Sequence, residues 1–251
     1  MKWEKEVQAY DDRREIVIPG NKEETITYAT EQFIEVANEA IAAHDYFAVA
    51  LSGGSTPKAI FQSLSSDRYK DQIDWSKVLL FWSDERAVPA DHPDSNYRMA
   101  MDAGLSKLPI KPDHIFRMKG EGDVEENALE YEKLIQSILP NGIFDLVMLG
   151  MGDDGHTASL FPKTHALHSD GRLAVANFLP EKEVWRLTLT YSAINSAREV
   201  FIYVLGEGKA EILERVLSEP YDPDNFPIQR VGTPKQKALF IADTSACTPN
   251  F

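Results

Sequence analysis

The residue around which chemistry can be built is His156. It closes the run Gly150-Met151-Gly152-Asp153-Asp154-Gly155-His156, directly after the apolar stretch Asp145 to Leu149. Imidazole titrates near neutrality and is the commonest general base, with contributions of about 10²- to 10⁴-fold. A solitary histidine usually serves structure, but one in a Gly-Asp-Asp-Gly-His loop at a strand end suits proton transfer. The same run fits G-x-G-x-x-G, so a dinucleotide site has to be weighed. Against it, Pro162 follows Gly155 too soon for the helix that motif needs, and no strand ending in Asp or Glu comes about 20 residues later. His156, His165 and His168 lack the regular spacing of zinc ligands, and cysteines to complete a set are missing. No metal is expected.

A second loop, Ser52-Gly53-Gly54-Ser55-Thr56-Pro57, lies between a strand-like and a helix-like segment. Glycines let successive N–H groups face one point, a helix start adds partial positive charge, and hydroxyls add donors. Gly53, Gly54, Ser55 and Thr56 are therefore candidate phosphate ligands, against the plainer alternative of a tight turn with a helix cap. Ser83-Asp84-Glu85-Arg86, with Ser95-Asn96-Tyr97 further along, could hold sugar hydroxyls or orient an acid–base group; a solvated salt bridge would look the same. Lys209, opening a helix after Gly206-Glu207-Gly208, and Arg186, ahead of Leu187-Thr188-Leu189-Thr190, are candidate phosphate cations. There is no G-x-S-x-G elbow and no plausible Cys–His pair, since the one cysteine, Cys247, lies near the C-terminus. Hydrolysis here would use activated water.

The segments that must position these loops alternate between strand and helix patterns, which points to one α/β domain over 1–251 with a mainly parallel β-sheet flanked by helices. Residues 25 to 43 carry an apolar stripe at helical spacing, and 124 to 139 carry another. Phe47–Leu51, Val78–Trp82, Asp145–Leu149, Glu199–Leu205 and Ala238–Ala242 read as buried strands, Ile115–Met118 as a weaker one, and about 209–217 as a helix. Pro220 to Pro234 reads as a long loop or linker. Three strand ends, at 52–57, 83–86 and 150–156, carry the unusual residues. In a parallel sheet, strand C-termini share one edge, where ligands bind.

Composition narrows the classes further. The 251 residues carry a formal net charge of −14, from 26 basic and 40 acidic side chains. No basic run exists for nucleic acid to grip, so any phosphate site must be local. No stretch approaches the roughly 18 apolar residues of a membrane span. The charged start MKWEKEVQAYDDRRE lacks the apolar core of a secretory signal, so a cytoplasmic protein is expected.

Taken in series, LSGGSTPKAIF, FWSDERAVPADHPDSNYRMA, FDLVMLGMGDDGHTASLFP, RLTLT and the Gly-x-Gly-Lys-Ala of residues 206–210 resemble the glucosamine-6-phosphate isomerase/6-phosphogluconolactonase family, on its lactonase side. The resemblance runs from about residue 25 to 242. It implies a sugar-phosphate-isomerase-like, modified Rossmann-type fold. It also implies hydrolysis of 6-phospho-D-glucono-1,5-lactone to 6-phosphogluconate in the oxidative pentose phosphate pathway, with no required cofactor. On this basis His156, Asp84 and Arg86 are expected to be catalytic, with Asp84 orienting Arg86 or His156. Deaminases of the family typically have Asp-Glu-Tyr where this chain has Asp84-Glu85-Arg86. They also have an Asn-Glu-Pro-like segment where it continues Thr157-Ala158-Ser159-Leu160-Phe161-Pro162. A deaminase or isomerase using Asp84 or Asp153 as a proton shuttle remains the alternative. The expected partner is a small sugar-phosphate lactone, with the chain a monomer or weak homo-oligomer.

Overall fold

Strands covered on both faces need unbroken apolar runs, because neither side meets water. The computed structural model, which describes residues 7–247, builds its main sheet from such runs. In chain order the elements are β1 (Gln8–Ala9), β2 (Arg14–Val17), α1 (Lys22–His44), β3 (Phe47–Leu51), α2 (Ser55–Leu64), β4 (Val78–Trp82), β5 (Asp84–Arg86), α3 (Asn96–Asp102) and α4 (Val124–Ile138). They continue with β6 (Leu146–Gly150), β7 (Ala174–Leu179), β8 (Val184–Leu189), α5 (Tyr191–Ile194), β9 (Glu199–Val204), α6 (Ala210–Ser218) and β10 (Ala238–Ala242). Residues 1–6, the start of the charged N-terminal stretch, and 248–251, the end of the weakly matched tail, lie outside the described residues.

The seven-stranded sheet has the order β1-β2-β10-β9-β6-β3-β4 and is parallel except for β1. Every residue of β3 and β10 is buried. The helices carry their own punctuation. Asn21 accepts from the amides of Glu23 and Glu24 while Glu24 returns a bond to the Asn21 amide, a reciprocal cap that starts α1 before the apolar stripe. Asp123 caps α4 from one side only, through the amides of Glu125 and Glu126. Among the described residues no helix is long and apolar enough to cross a membrane.

The chain leaves β3 for β4 on one side, then crosses over to β6 on the other. The order therefore reverses between β3 and β6, which opens a crevice at their C-terminal ends. A second sheet, β5-β8-β7, is antiparallel and sits over that edge. Ser83 joins the two, donating its amide and hydroxyl to the Leu51 carbonyl at 2.8 and 3.0 Å.

Two sequence expectations change, and one strand is added. Ile115–Met118 is not a strand: Ile115 makes a lone bridge to Leu80, and Phe116 is held by stacking on Phe81 at 4.8 Å. Arg117 and Lys119 turn outward to Glu121 and Glu130, so pairing stops there. Pro220–Pro234 is no linker. It buries Phe226, Ile228, Gln229 and Val231, and Gln229 alone bonds to the Val216 carbonyl and the Asp222 amide. The segment β7 carried no expectation; its run Ala-Val-Ala-Asn-Phe-Leu is buried at all positions but Phe178.

Candidate active site

Three loops meet in a cavity of about 270 Å³ at the β3/β6 crevice, walled by Gly53, Gly54, Asp84, Arg86, His156 and Arg186 among others. Two glycines admit this closeness. A Cβ on Gly53 would stand 2.0 Å from Asn96 Oδ1, and one on Gly152 would stand 2.0 Å from His156 Nδ1. Any side chain at either position would push the site apart.

His156 is held from two sides. Its Nδ1 lies 2.5 Å from Asp154 Oδ1, which also accepts the His156 amide at 3.0 Å. Burial pushes the Asp154 carboxyl up, but the hydrogen bond and charge of His156 outweigh that and leave it at about 2. An ionised carboxylate only accepts, so Nδ1 carries a proton towards Asp154 and Nε2 is the ring nitrogen left for proton exchange. The imidazole stacks on Phe161 with centroids 3.9 Å apart and planes at 20°. The loop is braced from behind: Ile228 donates its amide to the Gly155 carbonyl at 3.0 Å, and Phe226 packs against Gly155. This makes the Pro-rich segment a support for the histidine.

Asp84 does not touch Arg86 or His156. Its Oδ1 accepts from Asn96 Nδ2 at 3.2 Å and its Oδ2 from Ser159 Oγ at 2.7 Å. The orienting carboxylate for His156 is Asp154. Glu85 points the other way, accepting from the amides of Arg86, Asn96 and Tyr97 and from Ser95 Oγ, and so anchors the start of α3. Burial pushes its carboxyl up against those four donors. Asn96 is thereby delivered to Asp84 and Gly53.

Arg86 and Arg186 stand directly opposite each other on the β5–β8 ladder. Like charges in that position repel. Burial, and then Arg86, push the Arg186 guanidinium below its ordinary value. Arg86 donates Nη1 to the Asp94 carbonyl at 2.6 Å and Arg186 donates Nη1 to the Trp185 carbonyl at 3.1 Å. Neither forms an ion pair among the described residues. Two guanidiniums on one cavity wall, neither committed to an ion pair among the described residues, offer an anion site.

Gly54 caps α2 without a side-chain bond, leaving the amides of Ser55 and Thr56 with no helical partner. Ser55, Thr56 and Lys209 stand outside the cavity wall itself. Lys209 Nζ lies 2.5 Å from Asp153 Oδ1, on the outer side of the histidine loop. His156, His165 and His168 do not gather; among the described residues no three metal-ligating side chains do. Sequence reasoning did not reach Asp154 as the histidine's partner, nor Ser159, Phe161 and Lys182 as cavity residues. Asp154 had a local signal, two residues before the histidine. Lys182 had none.

The family of glucosamine-6-phosphate isomerases/6-phosphogluconolactonase matches residues 20–241. A 6-phosphogluconolactonase of Chlamydia trachomatis is 42% identical over 237 residues, which cover 94% of this chain and 91% of that one. A 6-phosphogluconolactonase of Haemophilus influenzae is 36% identical, over 79% of this chain and 85% of its own. Among solved structures, 6-phosphogluconolactonase from Trypanosoma brucei superposes with a TM-score of 0.80 at 26% identity, covering 92% of this chain and 96% of that one. A monomeric glucosamine-6-phosphate deaminase superposes at 0.75 with 20% identity, covering 92% and 98%, and shares the fold.

Proposed function

The chain belongs to the glucosamine-6-phosphate isomerase/6-phosphogluconolactonase family, and from that premise we propose that it hydrolyses 6-phospho-D-glucono-1,5-lactone to 6-phospho-D-gluconate. This is the hydrolytic step of the oxidative pentose phosphate pathway. The observation that carries the reading is the His156 ring, its Nδ1 fixed by Asp154, in a cavity that also holds Arg86 and Arg186, neither of them ion-paired among the described residues.

The phosphate sits against Arg86 and Arg186 and the free amides at the head of α2, with Lys209 approaching from the rim. Anchoring the substrate there removes much of the orientational entropy of the reaction. A water oxygen then adds to C1 while His156 Nε2 takes its proton. The tetrahedral intermediate collapses, the bond from C1 to the ring oxygen breaks, and imidazolium returns the proton to that oxygen. The resulting acid ionises to the carboxylate. The lactone is an activated ester, so a positioned base and preorganised donors suffice.

Arg86, where the family's deaminases typically carry tyrosine, favours this reading over a deaminase. Asp153 faces Lys209 instead of the cavity. We read the protein as cytoplasmic and as a monomer or weak homo-oligomer, which sedimentation of the full chain checks. The deciding test is hydrolysis of freshly generated lactone, with glucosamine 6-phosphate deamination run alongside. Lactone hydrolysis well above the spontaneous rate supports the proposal; deamination without it overturns the proposal.

A further inference from the structure

The cavity contains one cation that phosphate anchoring leaves unexplained. Lys182 sits in the turn between β7 and β8, closed by the Lys182 amide on the Leu179 carbonyl at 3.2 Å. Glu181 and Glu183 flank it, yet among the described residues its ammonium forms no ion pair. It stands instead 4.9 Å from the centroid of the Phe161 ring. Phe161 is the ring stacked on His156, and Lys182 lines the same cavity. A cation resting on an aromatic face, with carboxylates one residue away on both sides, is held weakly and stays available to another anion.

A lactone 6-phosphate presents negative charge at two ends. The phosphate is charged throughout. The acyl end becomes charged only during the reaction, first as the oxyanion of the tetrahedral intermediate and then as the product carboxylate. Arg86 and Arg186 oppose each other across the β5–β8 ladder, and both line the cavity. Lys182, in the turn that leads into the strand of Arg186, rests on the ring that stacks on the imidazole.

Resting on the hydrolase reading above, we propose that Lys182 is the substrate-contacting cation of the acyl end, meeting the charge that develops at C1. It forms no covalent bond and transfers no proton; it supplies an electrostatic partner that the neutral lactone carbonyl needs least and the oxyanion and carboxylate need most. It also selects ligands, favouring aldonic acid 6-phosphates over sugar phosphates that stay neutral at C1.

The test uses the full chain with Lys182→Met and Lys182→Arg, and two ligands: 6-phosphogluconate, and glucitol 6-phosphate, which lacks the carboxylate. Lys182→Met is expected to weaken 6-phosphogluconate binding about tenfold, the worth of one charge-assisted contact. Glucitol 6-phosphate binding stays within about twofold, kcat falls with little change in KM, and Lys182→Arg restores most of both losses. A purely structural lysine would weaken the two ligands equally. Equal loss, or no loss, in a wild-type background that hydrolyses the lactone overturns the role of Lys182 and leaves the hydrolase reading standing. A wild-type chain that leaves the lactone untouched overturns both.

Discussion

The two ends of the parallel sheet treat charge in opposite ways. At the entrance to β6, Asp145 is 2% exposed and well partnered: it accepts from the Ala48 amide at 2.8 Å, lies 3.2 Å from His44 Nε2 and forms an ion pair with Arg198 Nε at 3.2 Å. At the opposite end Arg86 and Arg186 face each other and form no ion pair among the described residues, while Asp154 engages only the Nδ1 side of His156. Buried charge that is fully partnered fixes the fold; charge left without its counter-ion is stress that a ligand relieves. The same chain therefore separates a structural pole from a reactive pole along one set of strands.

That separation breaks most visibly if the histidine is removed. His156→Ala is expected to lower kcat for the lactone about 10²-fold or more while product affinity and thermal stability change little. A melting temperature that falls with the activity would move His156 to the structural pole. Arg186→Ala is expected to raise KM about tenfold, through loss of one charge-assisted contact with the phosphate. Because it also relieves the opposition with Arg86, the variant should unfold at no lower a denaturant concentration than the wild type. Reduced stability would mean that the arginine pair is held for structure.

The converse test is at the other pole. Asp145→Ala leaves the Ala48 amide, His44 and Arg198 without their carboxylate partner, and is expected to cost about 2–4 kcal/mol of stability in urea unfolding with kcat and KM unchanged. Altered kinetics in the surviving folded enzyme would show that the two poles communicate.

Asp154 sharpens the comparison, since it serves the reactive pole yet contributes to folding. Its carboxyl is depressed to about 2, against an ordinary value of about 3.9. A depressed carboxyl stabilises the fold above its unfolded value and loses that contribution as the pH falls through the folded one. The stability difference between wild type and Asp154→Asn should thus shrink as the pH falls from about 4 towards about 2. Denaturant midpoints measured across that range check it, and a difference that fades instead between neutrality and pH 5 would assign it to another group. The smallest effect is expected of Lys209→Ala, a rise of a few-fold in KM, because the side chain begins on Asp153 outside the cavity wall.

Local pattern determined much of this protein. Unbroken apolar runs specified β3, β4 and β10 to the residue, because strands buried on both faces cannot contain polar positions. Glycine spacing at residues 53–54 and 150–156 marked the loops that approach a ligand, since only a missing Cβ allows Gly53 against Asn96 and Gly152 against His156. The cations Arg186 and Arg86 were legible singly as candidates. What the sequence could not express was who faces whom. The opposition of Arg86 to Arg186 exists only through the register of an antiparallel sheet whose strand β7 carried no recognisable signal. The choice of Asp154 over Asp84 as the histidine's partner depends on the loop closing between Gly152 and His156, while Asn96 and Ser159 arrive from distant segments to occupy Asp84. Lys182 and the bracing segment around Ile228 acquire their places by long-range packing alone. A residue's type states which bonds it can make; only the tertiary structure decides which partner is within 3 Å to make them.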